Sequence, residues 1–383
     1  MQQWVDQRLV GKVRSYLLQH ELSICTQSVA RALNHLHQIY SSETLLEVVE
    51  QIEAEFSGLG PLKPLLDLEN ITDIFVNGPQ EVWIDRGNGL ERYPLHFGNE
   101  EHLRSIATRL ITSTGRRLDD SQQAVDARLS NGVRIHAVIP PVSPAKTLLS
   151  IRVPQQRKLT FEHLIKTGSL TPQLADILLN ILEAKLNFLI SGATGSGKTA
   201  LLCALLEQCS PAHRLLLVED SCELFPQHPH VVHLEAQQSN IENSGEVTLQ
   251  QLVRHALRMR PDRLVVGECR GPEIRDLLQA FNTGHSGGCG TIHANSTYDL
   301  PARLEALCAL SGLTQVASWT QINSALDIAL HLENRNGRRF LSQISLVAAN
   351  DEGKTIIIPA LHYDGINVKE HEGYAELKRL MKR

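Results

Sequence analysis

The segment NFLISGATGSGKTALLCALLEQ, residues 187–208, constrains the possible folds of this chain more than any other feature. The apolar run NFLIS predicts a buried strand, and TALLCALLEQ predicts a helix. Between them, GATGSGKT (192–199) matches the pattern G-x-x-x-x-G-K-[ST]. In such a strand–loop–helix unit, backbone N–H groups and the positive helix end converge on phosphate oxygens. The sequence therefore predicts a phosphate-binding loop within an α/β domain.

The residues of this loop have distinct expected roles. Glycines permit a close backbone approach, Lys198 reaches the β- and γ-phosphates, and the Thr199 hydroxyl coordinates Mg²⁺. The predicted nucleotide-binding set is Gly192, Ala193, Thr194, Gly195, Ser196, Gly197, Lys198, Thr199 and Ala200. The flanking strand and helix disfavour the alternative of a purely structural glycine-rich turn. The expected ligands are ATP and Mg²⁺.

Length and composition indicate a globular protein of at least two domains. The chain has 383 residues, of which 42% are hydrophobic and 21% charged. Its net charge of −5 provides no overall basic field, so nucleic-acid binding is not expected. Seven cysteines without a CxxC spacing argue against a disulfide framework or zinc ribbon. Without a signal peptide or a membrane-spanning apolar run, we expect a cytoplasmic protein that contacts membranes only peripherally or through a partner.

Hydrophobic periodicity divides the chain into four segments. Residues 1–55 predict a helical N-terminal segment, and 56–153 predict a small α/β domain with a hairpin turn at Asn131 and Gly132. Residues 154–170 predict a polar linker with a short helical piece. In 171–383, apolar strands alternate with helices, which is typical of a parallel sheet.

Two of these apolar strands end in acidic residues. RLLLVEDSCE ends in Glu219, Asp220 and Glu223, and DRLVVGE ends in Glu268. The carboxyl ends of parallel strands line one crevice, and phosphoryl transfer to water needs acids that orient the water and hold Mg²⁺. We expect Glu268 to contact Mg²⁺ with Thr199, directly or through water. The alternative for each acid is a solvated side chain at a strand end.

Several segments resemble the secretion and type IV pilus ATPases, and within them the tight-adherence (Flp) pilus assembly branch. They are LVEDSCEL, LVRHALRMRPDRLVVGECRG, LLQAFNTGHSGGCGTIHANS, ITDIFVNGPQEVWIDRGNGL, DARLSNGVRIHAVIPP and SIRVP. The resemblance covers roughly residues 57–312. It implies a C-terminal RecA-like P-loop NTPase domain, preceded by a small PAS-like α/β domain and a helical segment. It also implies that Glu223 is the base for the attacking water, that Glu268 ends the Walker B strand, and that six subunits form a ring.

The stretch GHSGGCGTIHAN, residues 284–295, contains His285, Cys289 and His293. A transition metal needs three or four converging ligands, and the nearby sulfur is one cysteine flanked by glycines, so we do not expect a metal here. By resemblance, His285 and His293 lie near the nucleotide and connect the phosphate site to the ring. The alternative for each is a core histidine.

Catalysis of phosphoryl transfer often uses an arginine from outside the P-loop domain. The resemblance makes Arg128, Arg134 and Arg152 the candidates, with surface ion pairs as the alternative. Arg270, two residues after Glu268, is expected to hold that strand end through a charge pair.

The resemblance therefore implies a cytoplasmic hexameric motor at the inner face of the cell membrane. It would hydrolyse ATP to drive an inner-membrane platform protein during Flp-type pilus assembly or protein secretion. Two alternatives remain: a DNA-transfer ATPase of a conjugation system, and a hydrolysis-deficient nucleotide-binding scaffold. Negative net charge and an aromatic content of 4% disfavour the first. The presence of Lys198, Thr199, Glu223, Glu268, His285 and His293 disfavours the second.

Overall fold

The computed structural model describes residues 4–38, 40–56, 58–87, 89–129, 132–153, 159–237 and 245–382. The chain divides into two compact units, one up to Arg157 and one from Lys158 onward. Both combine helices with β-sheet, so the fold is mixed α/β. Among the described residues, no helix is both long and apolar enough to cross a membrane.

The N-terminal unit begins with three helices. They are α1 (Gln7–Gln19), α2 (Thr26–His35) and α3 (Ser42–Phe56). Asp6 caps α1 by accepting the N–H of Arg8, which satisfies one of the free donors at the helix start. Val13, Leu33 and Ile52, one from each helix, are fully buried against one another. The three helices therefore share one small core.

A sheet and two further helices complete the N-terminal unit. After a 3₁₀ turn (Gly60–Leu62) the elements are α4 (Lys63–Leu66), β1 (Asp73–Val76), β2 (Val82–Asp85), β3 (Leu90–Tyr93), α5 (Glu100–Thr112), β4 (Ala124–Arg128), β5 (Arg134–Val138) and β6 (Leu148–Arg152). The strands are antiparallel in the order β3-β2-β1-β6-β5-β4. Alternate residues such as Ile74, Ile135 and Ile151 are buried on the same side as α5 residue Ile106. The predicted turn residue Asn131 lies outside the described residues.

The C-terminal unit contains eight helices and nine strands among its described residues. The helices are α6 (Phe161–Lys166), α7 (Pro172–Glu183), α8 (Lys198–Leu206), α9 (Leu249–Leu257), α10 (Glu273–Asn282), α11 (Leu300–Leu310), α12 (Gln315–Ala325) and α13 (Tyr374–Leu380). The strands are β7 (Phe188–Gly192), β8 (Leu215–Glu219), β9 (Val231–Glu235), β10 (Arg263–Cys269), β11 (Cys289–His293), β12 (Ile328–Arg335), β13 (Arg338–Ala349), β14 (Thr355–Tyr363) and β15 (Val368–Glu370).

These nine strands form one sheet in the order β15-β14-β13-β12-β7-β11-β10-β8-β9. The six strands from β12 to β9 run parallel, and β13, β14 and β15 extend the sheet in antiparallel pairs. Strand side chains alternate between two helical layers: Phe188 and Ile190 enter one core, and Leu189 enters the other. Both faces of β7 are therefore covered, as the apolar sequence of the strand requires.

The described part of the predicted linker, residues 159–170, belongs to the C-terminal unit. Phe161, Leu164 and Leu170 are buried in the core beside α7. Thr160 caps α6 by accepting the N–H of His163. Hydrophobic burial thus extends the C-terminal unit back beyond Thr171, and residues 154–158 lie outside the described residues.

Glu55 provides a test of the N-terminal unit. Its buried carboxylate accepts hydrogen bonds from Trp4, His102 and Arg109. Burial alone would raise the pKa of Glu55, but the hydrogen bonds and the His102 charge lower it to about 2. A lowered folded-state pKa stabilises the protein above the usual pKa of 4.5, and this stabilisation is lost as the pH falls towards 2.

We therefore expect Glu55→Gln to lower the unfolding free energy of the N-terminal unit by about 3 kcal/mol at pH 7. Denaturant titrations followed by amide hydrogen exchange in α3 and α5 measure it. Glu50→Gln, at an exposed position of the same helix, is the control and should change stability by less than about 0.5 kcal/mol. Equal stability of the two variants would show that the ionised Glu55 carboxylate does not stabilise the N-terminal unit.

Candidate functional site

The predicted phosphate-binding loop connects β7 to α8 at the centre of the sheet. β7 ends at Gly192, and Gly197 precedes α8 with a left-handed φ of 98°. A Cβ atom on Gly192 would lie 2.6 Å from the Leu332 carbonyl oxygen and 2.6 Å from Ser196 Oγ. The loop therefore turns so closely on itself and on β12 that a side chain at 192 has no room.

The Lys198 ammonium lies folded against this loop. Nζ donates to the carbonyl oxygens of Gly192 and Ala193, both at 3.0 Å, and lies 3.3 Å from Nδ1 of His293. Burial lowers the pKa of Lys198, while the Glu268 charge acts in the opposite direction. The ammonium is thus a desolvated cation held by backbone carbonyls, which an incoming anion can replace.

His293, Glu268 and Arg270 continue from Lys198 in a line of polar contacts. His293 Nε2 lies 2.8 Å from Glu268 Oε1, and Arg270 donates to Glu268 Oε2 at 2.6 Å. Burial would raise the pKa of Glu268, but the Arg270 hydrogen bond and the surrounding positive charges lower it. Burial and the Lys198 charge lower the pKa of His293. The expected Arg270–Glu268 pair is confirmed, and Glu268 is an ionised acid beside the loop.

The strand register explains why these residues meet. In the parallel pairing of β7 and β11, Gly192 lies opposite His293, and in that of β7 and β12 it lies opposite Leu332. The carboxyl ends of β7 and β11 are therefore level, and β12 continues beyond them to Arg335. Thr199 lies in the first turn of α8, half-buried, and Ala200 follows it.

Glu219 organises the acidic segment after β8. Its Oε1 atom accepts the backbone N–H groups of Glu223 at 2.9 Å and Leu224 at 3.1 Å. Burial raises the pKa of Glu219 to about 7, although these two N–H groups act to lower it. A Cβ on Gly267 of β10 would lie 2.6 Å from Glu219 Cγ, so a glycine on the adjacent strand makes room for this carboxyl.

Glu223 itself is exposed on the loop that Glu219 holds. Arg270, whose pKa is raised first by its hydrogen bond to Glu268, also experiences the charges of Asp220 and Glu223. The negative charges of Glu223 and Glu268 thus both raise the pKa of the Arg270 guanidinium. Both acids lie at the carboxyl ends of the parallel strands. The family resemblance singled out Glu223 but did not indicate the structural role of Glu219. The sequence signal for Glu219 was its position as the last residue of an apolar strand.

The structure does not bring His285 to the phosphate-binding loop of its own chain. His285 lies between α10 and β11, and its backbone N–H donates to the Ala280 carbonyl at 3.3 Å. β11 begins at Cys289 opposite Phe188, so His285 precedes the amino-terminal ends of the parallel strands. The loop lies at their carboxyl ends. The two histidines of the stretch 284–295 therefore lie at opposite ends of the parallel strands, because β11 separates them.

The three candidate arginines form one row across the N-terminal sheet. Arg128 of β4 lies opposite Arg134 of β5, which lies opposite Arg152 of β6, which lies opposite Asp73 of β1. Arg152 Nε and Asp73 Oδ1 are 3.3 Å apart. Directly opposed residues of antiparallel strands share a face, so the three guanidinium groups are neighbours on the face away from the core. Their sequence spacing gave no sign of this.

Comparison with known proteins places the chain in a family. Residues 55–344 match the family described as Type II/IV secretion system protein. A Mycobacterium tuberculosis protein with a provisional conjugal transfer name is 46% identical over 320 residues, covering 82% of this chain and 91% of that protein. The type IV secretion system protein VirB11 of Brucella suis is 35% identical over 264 residues, covering 62% of this chain and 73% of its own. The chain belongs to the Type II/IV secretion system protein family.

A solved structure supports the fold. The ATPase DotB of Legionella pneumophila superposes with a TM-score of 0.52 at 19% identity, covering 80% of this chain and 82% of that one. The likeness concerns the fold alone. The suspected membership of the secretion ATPase superfamily is confirmed.

Replacing two glycines of the loop tests its geometry. Gly192→Ala should lower the unfolding free energy of the C-terminal unit by about 2–4 kcal/mol, because the new methyl group overlaps a backbone carbonyl. Gly195→Ala is the matched control: its φ is 74° but its Cβ meets nothing within 4 Å, so it should cost only about 1 kcal/mol. Hydrogen exchange of amides in β7 and α8 measures both. A Gly192→Ala variant as stable as the control would contradict the overlap.

Proposed function

We propose that the protein is an ATPase, which binds Mg²⁺ and ATP at residues 192–200 and converts ATP and water to ADP and phosphate. One observation carries the proposal: the Lys198 ammonium is desolvated and held by two loop carbonyls beside the ionised Glu268. A cation in this position can move onto phosphate oxygens without first losing a shell of water.

The donor set of the loop fits this ligand. The Ser196 hydroxyl is fully buried and has no hydrogen-bond partner within the part of the chain that the structure describes, which suits an additional oxygen-rich ligand. The Thr199 hydroxyl and Glu268, directly or through water, are the oxygen ligands that would hold Mg²⁺. When bound, Mg²⁺ neutralises charge on the phosphates.

A cleft beside Gly197 offers room for the nucleoside. Its walls include Leu164 of α6, Leu201 of α8 and Leu332 of β12, with Arg339 at the end of the β12–β13 hairpin. An apolar wall with one cation suits a flat base and a sugar.

Each acidic and basic side chain then has a defined task. Glu223 accepts a proton from the attacking water and orients it. Glu219 keeps Glu223 in place by accepting its backbone N–H. His293 separates the Lys198 ammonium from the Glu268 carboxylate and contacts both, so that Lys198 remains available to the phosphates. His285, which lies near the amino-terminal ends of the parallel strands, would contact a neighbouring subunit.

The finer role that we propose is a homohexameric motor at the inner face of the cell membrane. It would act on an inner-membrane platform protein during Flp-type pilus assembly or protein secretion. Membership of the Type II/IV secretion family and the motifs shared with the tight-adherence branch support this role. In such a ring, Arg128, Arg134 and Arg152 would bring positive charge to the phosphates bound by a neighbouring subunit.

A DNA-transfer role is the second candidate, and the conjugal transfer name of the Mycobacterium tuberculosis relative favours it. The net charge of −5 disfavours direct DNA contact by this chain. Neighbouring genes distinguish the two roles: platform-protein and pilin genes support the pilus or secretion motor, and a relaxase gene supports conjugation.

Two substitutions separate binding from hydrolysis. Lys198→Ala should weaken nucleotide binding and remove most ATP turnover, because the phosphates lose their ammonium partner. Glu223→Gln should keep nucleotide affinity but slow turnover by about a hundredfold or more, because an amide cannot accept the proton of water. Fluorescent-nucleotide titration and phosphate release measure the two quantities. Glu183→Gln, exposed on α7, is the control. Wild-type turnover in Glu223→Gln would show that another group is the base.

Mixed rings test the arginine row. Arg134→Ala has an intact phosphate-binding loop, and Lys198→Ala has intact arginines; each alone should be inactive. If Arg134 acts across a subunit boundary, mixing them should restore part of the activity, because some interfaces then contain one functional half from each variant. Native mass spectrometry must show mixed hexamers. Arg117→Ala, exposed in the same unit, should remain active by itself. Activity equal to the sum of the separate variants, in proven mixed hexamers, would contradict action across the boundary.

A further inference from the structure

Three side chains of different chemistry meet at the ends of β8 and β9. They are the Glu219 carboxyl, the Cys222 thiol and the His233 imidazole, and one donor atom from each lies within 4.8 Å of those of the other two. They belong to the acidic segment and the neighbouring strand rather than to the phosphate-binding loop. In the proposed ATPase, Glu219 holds the backbone of Glu223, and Cys222 and His233 have no role.

Strand pairing brings these groups together. β8 and β9 are parallel, with Leu217 opposite His233 and Glu219 opposite Glu235. Residues two apart on a strand share a face, so Glu219 and His233 project on the same side of the sheet. The segment after β8 returns Cys222 to this face, where its backbone N–H donates to Glu235 Oε1 at 3.3 Å.

The second carboxylate oxygen of Glu219 provides an independent sign of a missing ligand. Glu219 is only 3% exposed, and its Oε1 atom is already occupied by two backbone N–H groups. Its Oε2 atom is buried and has no hydrogen-bond partner among the described residues. An unpartnered buried oxygen on a carboxyl group is costly, and a bound cation would satisfy it.

We propose that Glu219, Cys222 and His233 form a binding site for a zinc-class transition-metal ion. A thiolate, an imidazole and a carboxylate are the ligands that Zn²⁺ takes, and three protein ligands leave a fourth position for water. The neighbouring carboxylate of Glu235 adds negative charge, which favours a cation. On binding, the Cys222 thiol loses its proton to solvent as the metal–sulfur bond forms.

The ligand set separates this site from the one proposed for Mg²⁺. Mg²⁺ requires oxygen ligands in a near-octahedral arrangement and does not select a thiolate. The two sites therefore take different ions in the same solution. An ion bound to both β8 and β9 also ties the segment carrying Glu223 to β9, so that segment should become more protected from solvent exchange.

The test uses the full-length protein, freed of metal by chelation and then kept in excess Mg²⁺ without nucleotide. Co²⁺ replaces Zn²⁺ as a spectroscopic probe, because a cobalt–thiolate bond produces an intense near-ultraviolet charge-transfer band. We expect one Co²⁺ per chain with this band, displacement of Co²⁺ by Zn²⁺, and slower hydrogen exchange of amides in residues 219–235 when Zn²⁺ is bound.

Single-ligand variants locate the site. Cys222→Ser should abolish the band, and both Cys222→Ser and His233→Gln should weaken Zn²⁺ binding by about tenfold or more in calorimetric titrations. Cys25→Ser and His255→Gln replace an exposed cysteine and an exposed histidine elsewhere, and they should leave the band and the affinity unchanged. Circular dichroism confirms that each variant is folded. Absence of the band, or Zn²⁺ affinity that is the same in the wild type and both ligand variants, would overturn the proposal.

Discussion

Complete burial of β7 is the constraint on which the rest of the candidate site depends. All five residues of the strand are buried, with Phe188 and Ile190 in one core and Leu189 in the other. Each such side chain contributes about 1.5–3 kcal/mol by leaving water. β11 and β12 pair with β7 on either side, and β7 ends where Gly192 lies opposite His293 and Leu332. The chain leaves the core at this point. The phosphate-binding loop thus takes its position from hydrophobic packing.

Side chains of alternating charge lie around the point where β7 leaves the core. Lys198, His293, Glu268 and Arg270 succeed one another as cation, imidazole, carboxylate and cation. Every charge has an opposite charge or a polar group beside it, so none is left bare in the partly desolvated crevice. If Lys198 moves towards phosphate oxygens, the contacts of Glu268 with His293 and Arg270 can remain. The arrangement is preorganised, which is how polar sites gain strength in a low-dielectric environment.

Local sequence patterns predicted those parts of the site that depend on neighbours in the chain. The phosphate-binding loop lies between a strand and a helix, and Arg270 pairs with Glu268 two residues away. Features that depend on strand register were not predictable. Nothing in the spacing of Arg128, Arg134 and Arg152 indicates that they are cross-strand neighbours.

The position of His285 and the meeting of Cys222 with His233 have the same origin. His285 and His293 are close in sequence, but the five residues of β11 carry the chain from the amino-terminal ends of the parallel strands to their carboxyl ends. Cys222 and His233 belong to different segments, and only the pairing of β8 with β9 makes them neighbours. Sequence distance is therefore a poor guide to distance across a parallel sheet, because strand direction and order decide which ends meet.

The arginine row of the N-terminal sheet also disfavours any other register of its strands. Side chains alternate between the faces, so a slip of one residue between β4 and β5 would turn a guanidinium towards the core that now holds Ala127 and Ile135. Burying an unpaired guanidinium is far more costly than leaving it in water. A misaligned hairpin is therefore penalised before any ligand is present, and an insertion or deletion of one residue between Arg128 and Arg134 should be tolerated less well than a substitution there.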